Sequence, residues 1–172
     1  MLQFIVLIIT LIFIILIFMV KTPLNYLNKG ISKYNEGDFN GAINNLNRAI
    51  KINSLNATPF LYRGYSKYNL GNLQGAIEDY TEALKRQKPD SDLYLNRGAI
   101  KYLIEDYNGA IEDYNSAIEI NSRDGDLFYN RAISKRKIGD NSGFELDLKK
   151  GIDLGSLKAI EFANTNKFNN NV

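Results

Sequence analysis

Residues 95–117 read LNRGAIKYLIEDYNGAIEDYNSA. Small residues stand at Gly98, Ala110 and Ala117, aromatics at Tyr102, Tyr107 and Tyr114, and two cations, Arg97 and Lys101, lie four residues apart. Residues four apart share one face of a helix. A glycine beside them marks a place where the backbone meets a neighbour closely. Two cations on such a face are either a site for an anionic partner or part of the internal structure.

Moving outward settles the scale of the pattern. Gly30, Gly64 and Gly98 are 34 residues apart, and Ala132 stands at the next interval. Twelve residues later come Ala42, Ala76 and Ala110, each followed by isoleucine, and seven further on Ala49, Ala83 and Ala117. EGDFNGAI, LGNLQGAI, IEDYNGAI and IGDNSGFE are four versions of one phrase. A fixed period of this length is the mark of a repeat architecture. The copies span about 23–56, 57–90, 91–124 and 125–156, the last one degenerate.

Each copy predicts two helices. Thr22-Pro23 and Thr58-Pro59 read as N-cap and first-turn proline. Gly37-Asp38, Gly71-Asn72 and Gly139-Asp140 read as a helix-ending glycine followed by the cap of the next helix. Glu105 takes the glycine's place in the third copy. A left-handed backbone there would cost on the order of 1 kcal/mol. In the fourth copy Phe144 and Gly151 replace alanines, which predicts different helix packing. GSLKAIEFA (155–163) is expected to be a final solvating helix, and the polar stretch up to residue 172 to be disordered.

The pattern of Gly98, Tyr102, Asp106-Tyr107, Ala110, Tyr114 and Ala117 resembles the tetratricopeptide repeat (TPR) family. The resemblance covers residues 22–156 and implies an all-α fold: an α-solenoid of helix-turn-helix repeats wound into a right-handed superhelix with a concave inner surface. The family's tryptophan position is held by Tyr26, Phe60, Tyr94 and Phe128. The usual proline closing each repeat is absent, with Ser54 and Ser122 in two of its places.

Composition narrows the chemistry. With 21 Lys+Arg against 19 Asp+Glu, the chain lacks the charge footprint of a nucleic-acid binder. Without cysteine or histidine it has no disulfide, no thiolate nucleophile, no thiolate or imidazole metal ligand and no imidazole base. Acidic pairs such as Glu78-Asp79 and Glu112-Asp113 are adjacent, point to different sides of a helix and recur with the repeat. No phosphate loop, nucleophile elbow or metal spacing is present. The expectation is a non-enzymatic protein with no cofactor and no metal site.

Residues 2–20, LQFIVLIITLIFIILIFMV, carry no charge. As a helix they would extend about 28 Å, close to the hydrocarbon thickness of a bilayer. Nothing basic precedes the run, and FMVKTP offers no small residue for signal cleavage. Residues 1–21 are therefore expected to be an uncleaved transmembrane anchor, making the protein single-pass. Lys21, Lys29 and Lys33 lean the repeats toward the cytoplasmic side.

The cations of the opening stretch recur too. Lys29, Arg63, Arg97 and Arg131 precede each landmark, and Lys33, Lys67, Lys101 and Lys135 follow it by three. Fifteen residues after each landmark stand Asn45, Asp79, Asp113 and Asp147. The three arginine copies are those with aspartate, which predicts three Arg–Asp bridges between first and second helices. Lys101 is expected to snorkel beside its bridge without a partner.

The opposite face of the first helices carries the candidate partner-binding residues. They are Asn28 and Tyr34, then Tyr62, Tyr65, Tyr68 and Asn69, then Asn96 and Tyr102, then Tyr129 and Asn130. The family resemblance implies that this face lines the concave groove, an aromatic and amide-rich surface suited to an extended peptide or a helix. Packing between repeats is the other reading of the tyrosines. The positions with which chaperone co-factors of the family hold a C-terminal carboxylate are here Leu27, Ile31, Tyr62, Asp92 and Asn96, a set that does not suit that ligand. The expected function is a membrane-anchored adaptor that holds a segment of a partner protein. The alternative is a structural or self-associating component of a membrane or envelope complex without a groove ligand.

Overall fold

The computed structural model describes residues 2–20 and 22–169, with side chains described for 3–13 and 22–165. They form ten α-helices: α1 Leu2–Val20, α2 Pro23–Asn35, α3 Phe39–Ile52, α4 Thr58–Asn69, α5 Leu73–Leu84, α6 Ser91–Leu103, α7 Tyr107–Ile120, α8 Gly125–Lys137, α9 Asn141–Asp153 and α10 Leu157–Asn169. The all-α repeat fold expected from the 34-residue period is therefore the one found.

Two compact units divide the chain, Met1–Gln87 and Lys88–Val172. In the first, α2 pairs with α3 and α4 with α5, and α3 packs on α4. In the second, α6 pairs with α7 and α8 with α9, α7 packs on α8, and α10 rests on α8 and α9. The division falls close to the boundary between the second and third sequence repeats.

Why the chain turns where it does is visible in the backbone. Gly37, Gly71, Gly139 and Gly155 have φ of 79, 78, 82 and 82°, the left-handed conformation that closes a helix. Glu105 adopts φ 64° at the equivalent position. The Glu105 and Asp106 amides still bond back to the Tyr102 and Lys101 carbonyls at 3.0 and 2.9 Å, so the turn keeps its geometry despite the wrong residue. Glu105→Gly should consequently raise stability by about 1 kcal/mol. A urea titration showing no gain would contradict this.

Asp38, Asn72, Asp106 and Asp140 cap α3, α5, α7 and α9, each accepting a bond from the amide three residues on. Thr22 caps α2 as expected, accepting from the Asn25 amide at 3.2 Å. Thr58 does not cap α4. It lies inside the helix, and the Thr58 amide donates instead to Asn56 Oδ1 at 3.0 Å.

Close approach between paired helices is set by the landmark glycines. A Cβ on Gly64 would fall 2.6 Å from Tyr80 Cε1, and one on Gly98 would fall 2.9 Å from Tyr114 Cε1. Around these contacts Ala42, Ala76 and Ala110 are completely buried, as are Ala83 and Ala117. In the fourth repeat Ala132 is buried while Phe144 is only half-buried. Gly151 there approaches the Gly125 carbonyl and the Ala159 methyl.

At the C-terminal end, Gly155 makes the turn and Ser156 Oγ accepts from the Ala159 amide at 3.2 Å, so α10 starts at Leu157. It continues to Asn169, into the stretch expected to be disordered, and residues 170–172 lie outside the described residues.

The expected membrane anchor is overturned. Among the described residues, no helix is long and apolar enough to cross a membrane. The single-pass localisation, the membrane as a partner through residues 2–20 and the cytoplasmic placement go with it. Lys21, which entered the orientation argument, lies outside the described residues.

Candidate functional site

The Arg–Asp bridges are present in all three places. Arg63 donates from Nε to Asp79 Oδ2 at 2.9 Å and from Nη2 to Oδ1 at 2.5 Å. Arg97 engages Asp113 at 2.9 and 2.6 Å, and Arg131 engages Asp147 at 2.7 and 2.6 Å, with the same two nitrogens. Each aspartate is about 2% exposed. A bidentate fork on a buried carboxylate fixes the angle between two helices as well as their distance.

The lysines are where the structure corrects the expectation. Lys101 does not snorkel unpartnered: its Nζ lies 3.0 Å from Asp113 Oδ2. Lys67 and Lys135 reach Asp79 and Asp147 at 2.9 and 2.8 Å. Every strut is a triad of two cations around one carboxylate. Beneath each guanidinium lies the ring three residues earlier, Phe60, Tyr94 or Phe128, at 5.4 to 5.6 Å.

The first repeat has no triad. Asn45 replaces the aspartate and donates to the Gly41 carbonyl at 2.8 Å, while Lys33 pairs with Glu36 at 2.9 Å. A further link was not foreseen: Arg63 Nη1 donates to Asn47 Oδ1 at 2.6 Å and Arg131 Nη1 to Asn115 Oδ1 at 2.7 Å, tying α4 to α3 and α8 to α7. The signal was available, since both asparagines stand sixteen residues before their arginine. With its cations committed to internal carboxylates, the arginine row is structural.

On the other face of the first unit, tyrosines gather. Tyr34 on α2 meets Tyr62 and Tyr65 of α4 at ring-centroid distances of 5.6 and 5.9 Å. Tyr62 and Tyr65 stand edge to face at 5.9 Å, and Tyr65 meets Tyr80 of α5 at 5.6 Å. Tyr34 also contacts Phe39 at 5.8 Å. Tyr34 and Tyr62 pack in addition on the core of Leu27, Ala42, Leu46 and Ala49.

Tyr34, Tyr62 and Tyr65 are thus half-buried, packed on one side and open on the other. Tyr68 is 43% exposed. Asn28 and Asn69 are exposed, and Asn69 Nδ2 donates to the Tyr65 carbonyl at 2.8 Å.

In the second unit the candidate residues are less gathered. Tyr102 meets Tyr107 at 5.3 Å and Tyr129 meets Phe162 of α10 at 6.1 Å. Asn96 and Asn130 are half-buried on α6 and α8. Of the positions tested against a carboxylate clamp, Leu27 is buried and Asp92 lies exposed in the first turn of α6.

A separate open cavity of about 420 Å³ lies by the starts of α8 and α10, lined by Arg123, Asp124, Asp126, Ser156 and Lys158 among others. Its Asp126 carboxylate takes bonds from Ser156 Oγ at 2.6 Å and Lys158 Nζ at 2.8 Å. Those two partners hold its pKa below the usual carboxylate range. Among the described residues no acidic cluster has metal-binding geometry.

Two buried phenols tie stability to pH. Burial, followed by the nearby Tyr65, Tyr34 and Tyr68, raises the Tyr80 pKa well above its ordinary value. Burial, followed by Asp113 and Tyr102, does the same for Tyr114. A raised folded-state pKa contributes stability that is complete below the unfolded value, about 10 for tyrosine, and is lost as pH rises above it. Unfolding free energy should therefore fall above about pH 10, and fall less steeply in a Tyr80→Phe/Tyr114→Phe double variant. Identical alkaline slopes for variant and wild type would refute the assignment.

Comparison with known proteins agrees with this geometry. A TPR-repeat family model matches residues 30–71, and a tetratricopeptide-repeat family model matches residues 61–125. Among solved structures, the chain is similar to a MamA protein, 23% identical over 81% of this chain and 77% of that one, with a TM-score of 0.75. It is also similar to MamA from residue 41 onward of Desulfovibrio magneticus RS-1, 19% identical over 84% and 85%, TM-score 0.75. The TPR domain of Arabidopsis OM64 is 25% identical over 66% of this chain and 94% of that one, TM-score 0.61. No curated protein matches the sequence. Helix hairpins at a 34-residue period, packed through small residues and joined by left-handed turns, coincide with family models that together cover residues 30–125, more than half of the sequence, and the chain accordingly belongs to the tetratricopeptide repeat proteins.

Proposed function

We propose that the protein is a non-catalytic scaffold whose tyrosine-bearing repeat face holds an extended or helical segment of a partner protein. A TPR fold implies protein partners in general. The observation that carries the more specific reading is the cluster Tyr34, Tyr62, Tyr65 and Tyr68 in the first unit. The rings of Tyr34, Tyr62 and Tyr65 brace one another at 5.6 to 5.9 Å while remaining partly open, and Tyr68 is exposed. Pre-ordered aromatic rings offer a large contact area at little entropic cost, and Asn28 and Asn69 supply amide groups at the exposed edge. In the second unit Asn96, Tyr102, Tyr129 and Asn130 take the corresponding part.

The test is a crosslinking pull-down comparing Tyr65→Ala/Tyr68→Ala with the wild type. Loss of two aromatic contacts should reduce specific partner recovery by roughly 30-fold. Unchanged partners would sink the tyrosine-face reading. A second reading, self-association without a peptide ligand, is favoured by α1, where Phe4, Leu7, Ile9, Leu11 and Phe13 are all more than half exposed. It requires that the oligomeric state rise with concentration in sedimentation experiments and that the double variant leave partners unaltered.

A further inference from the structure

The fourth repeat departs from the others at two positions that meet in space. The row Tyr34, Tyr68, Tyr102 continues as Arg136, and the row of buried alanines Ala42, Ala76, Ala110 continues as Phe144. The Arg136 guanidinium lies 5.3 Å from the Phe144 ring centroid and 5.5 Å from that of Phe162. Those two rings touch edge to face at 5.9 Å. The next residue, Lys137, sets its ammonium 6.0 Å over the Tyr107 ring, which itself abuts Tyr102.

Arg136 and Lys137 are both exposed, and among the described residues neither is in ion-pair contact with a carboxylate. Their neighbour Lys135 is the opposite case, spent on buried Asp147 at 2.8 Å. Cations near the end of α8 favour the helix dipole, which accounts for charge there. It does not account for a phenylalanine where three repeats bury alanine, nor for two rings beneath one guanidinium. Rings packed against the guanidinium restrict where it can lie before an anion arrives, which lowers the ordering cost of binding.

We propose that this face of the second unit binds a peptide segment carrying a side-chain carboxylate beside an aromatic or aliphatic residue. The carboxylate sits on Arg136 and Lys137, and its apolar neighbour packs on Tyr102 and Tyr129. The inference rests on the reading that the repeats hold a protein segment, and it adds the chemistry of that segment and its place.

The full chain is panned against a random dodecapeptide library, and enriched sequences are resynthesised with both termini capped, so that only side chains carry charge. Binding is read by fluorescence polarisation. The expected consensus has Asp or Glu next to an aromatic or aliphatic residue. Replacing that acid by its amide, or changing Arg136→Gln and Lys137→Gln together, weakens binding roughly 10-fold or more, and raised salt weakens it too. The two basic residues are exposed, so an unchanged melting curve verifies that the Gln variant folds. Peptides without acids, or acidic peptides indifferent to the Gln variant, overturn the proposal. Peptides lost only with Tyr65→Ala/Tyr68→Ala overturn it while upholding the scaffold reading, and a library that yields no binder counts against both.

Discussion

Asp113→Ala is expected to destabilise the second unit by about 3–5 kcal/mol, a shift in melting temperature on the order of 10 °C. Asp113 faces two cations, Arg97 at 2.6 Å and Lys101 at 3.0 Å, whose side chains are only 15% and 17% exposed. Removing it strands both charges between α6 and α7. Arg97→Ala should cost less, because Lys101 still answers the carboxylate. The Arg97→Ala/Asp113→Ala double variant should fall short of the sum of the singles, as coupled partners do. Additive losses would show that the triad is not an energetic unit. Replacing all three residues by well-packed apolar side chains should recover most of the loss, since a buried ionic cluster is costly to break rather than strongly favourable to own.

Gly64→Val carries the second large effect, a loss of about 3 kcal/mol. An exposed helical glycine changed to a better helix former would gain up to about 1 kcal/mol. Here the added Cβ would stand 2.6 Å from Tyr80 Cε1, and Tyr80 is 1% exposed, with nowhere to move. α4 must then back away from α5. Since Tyr80 touches Tyr65, and Tyr65 touches Tyr34 and Tyr62, the displacement reaches the proposed binding face. The variant should lose partner recovery along with stability, whereas Glu105→Gly, in the other unit, should change stability alone. Near-ultraviolet circular-dichroism melting traces and pull-downs that move independently for Gly64→Val would separate packing from binding and contradict the link.

Much of the architecture was legible because repeats repeat their mistakes as well as their rules. Glu105 betrayed the left-handed turn by replacing a glycine that the other copies keep, and φ of 64° there agrees. Arginine and aspartate appear together or not at all, so the pairing of α4 with α5, α6 with α7 and α8 with α9 was readable before any distance was known. The faces of single helices were less informative. Tyr62 and Tyr34 read equally well as groove or packing residues, and in the structure they are both packed and partly open.

The opening stretch, Leu95 to Ala117, draws the line between the two sources. By itself the sequence determined the period, the helix hairpins and the Arg97–Asp113 pair, because these depend on spacing along the chain and on which residue types vary together. Only the tertiary structure decided that Lys101 shares the same carboxylate, that Thr58 lies inside a helix and not at its cap, and that Arg136 rests on Phe144 and Phe162. Those outcomes depend on how closely two helices approach and how far a flexible side chain reaches across the gap. Such distances are set by the packing of glycines against rings, and no pattern along one helix records them.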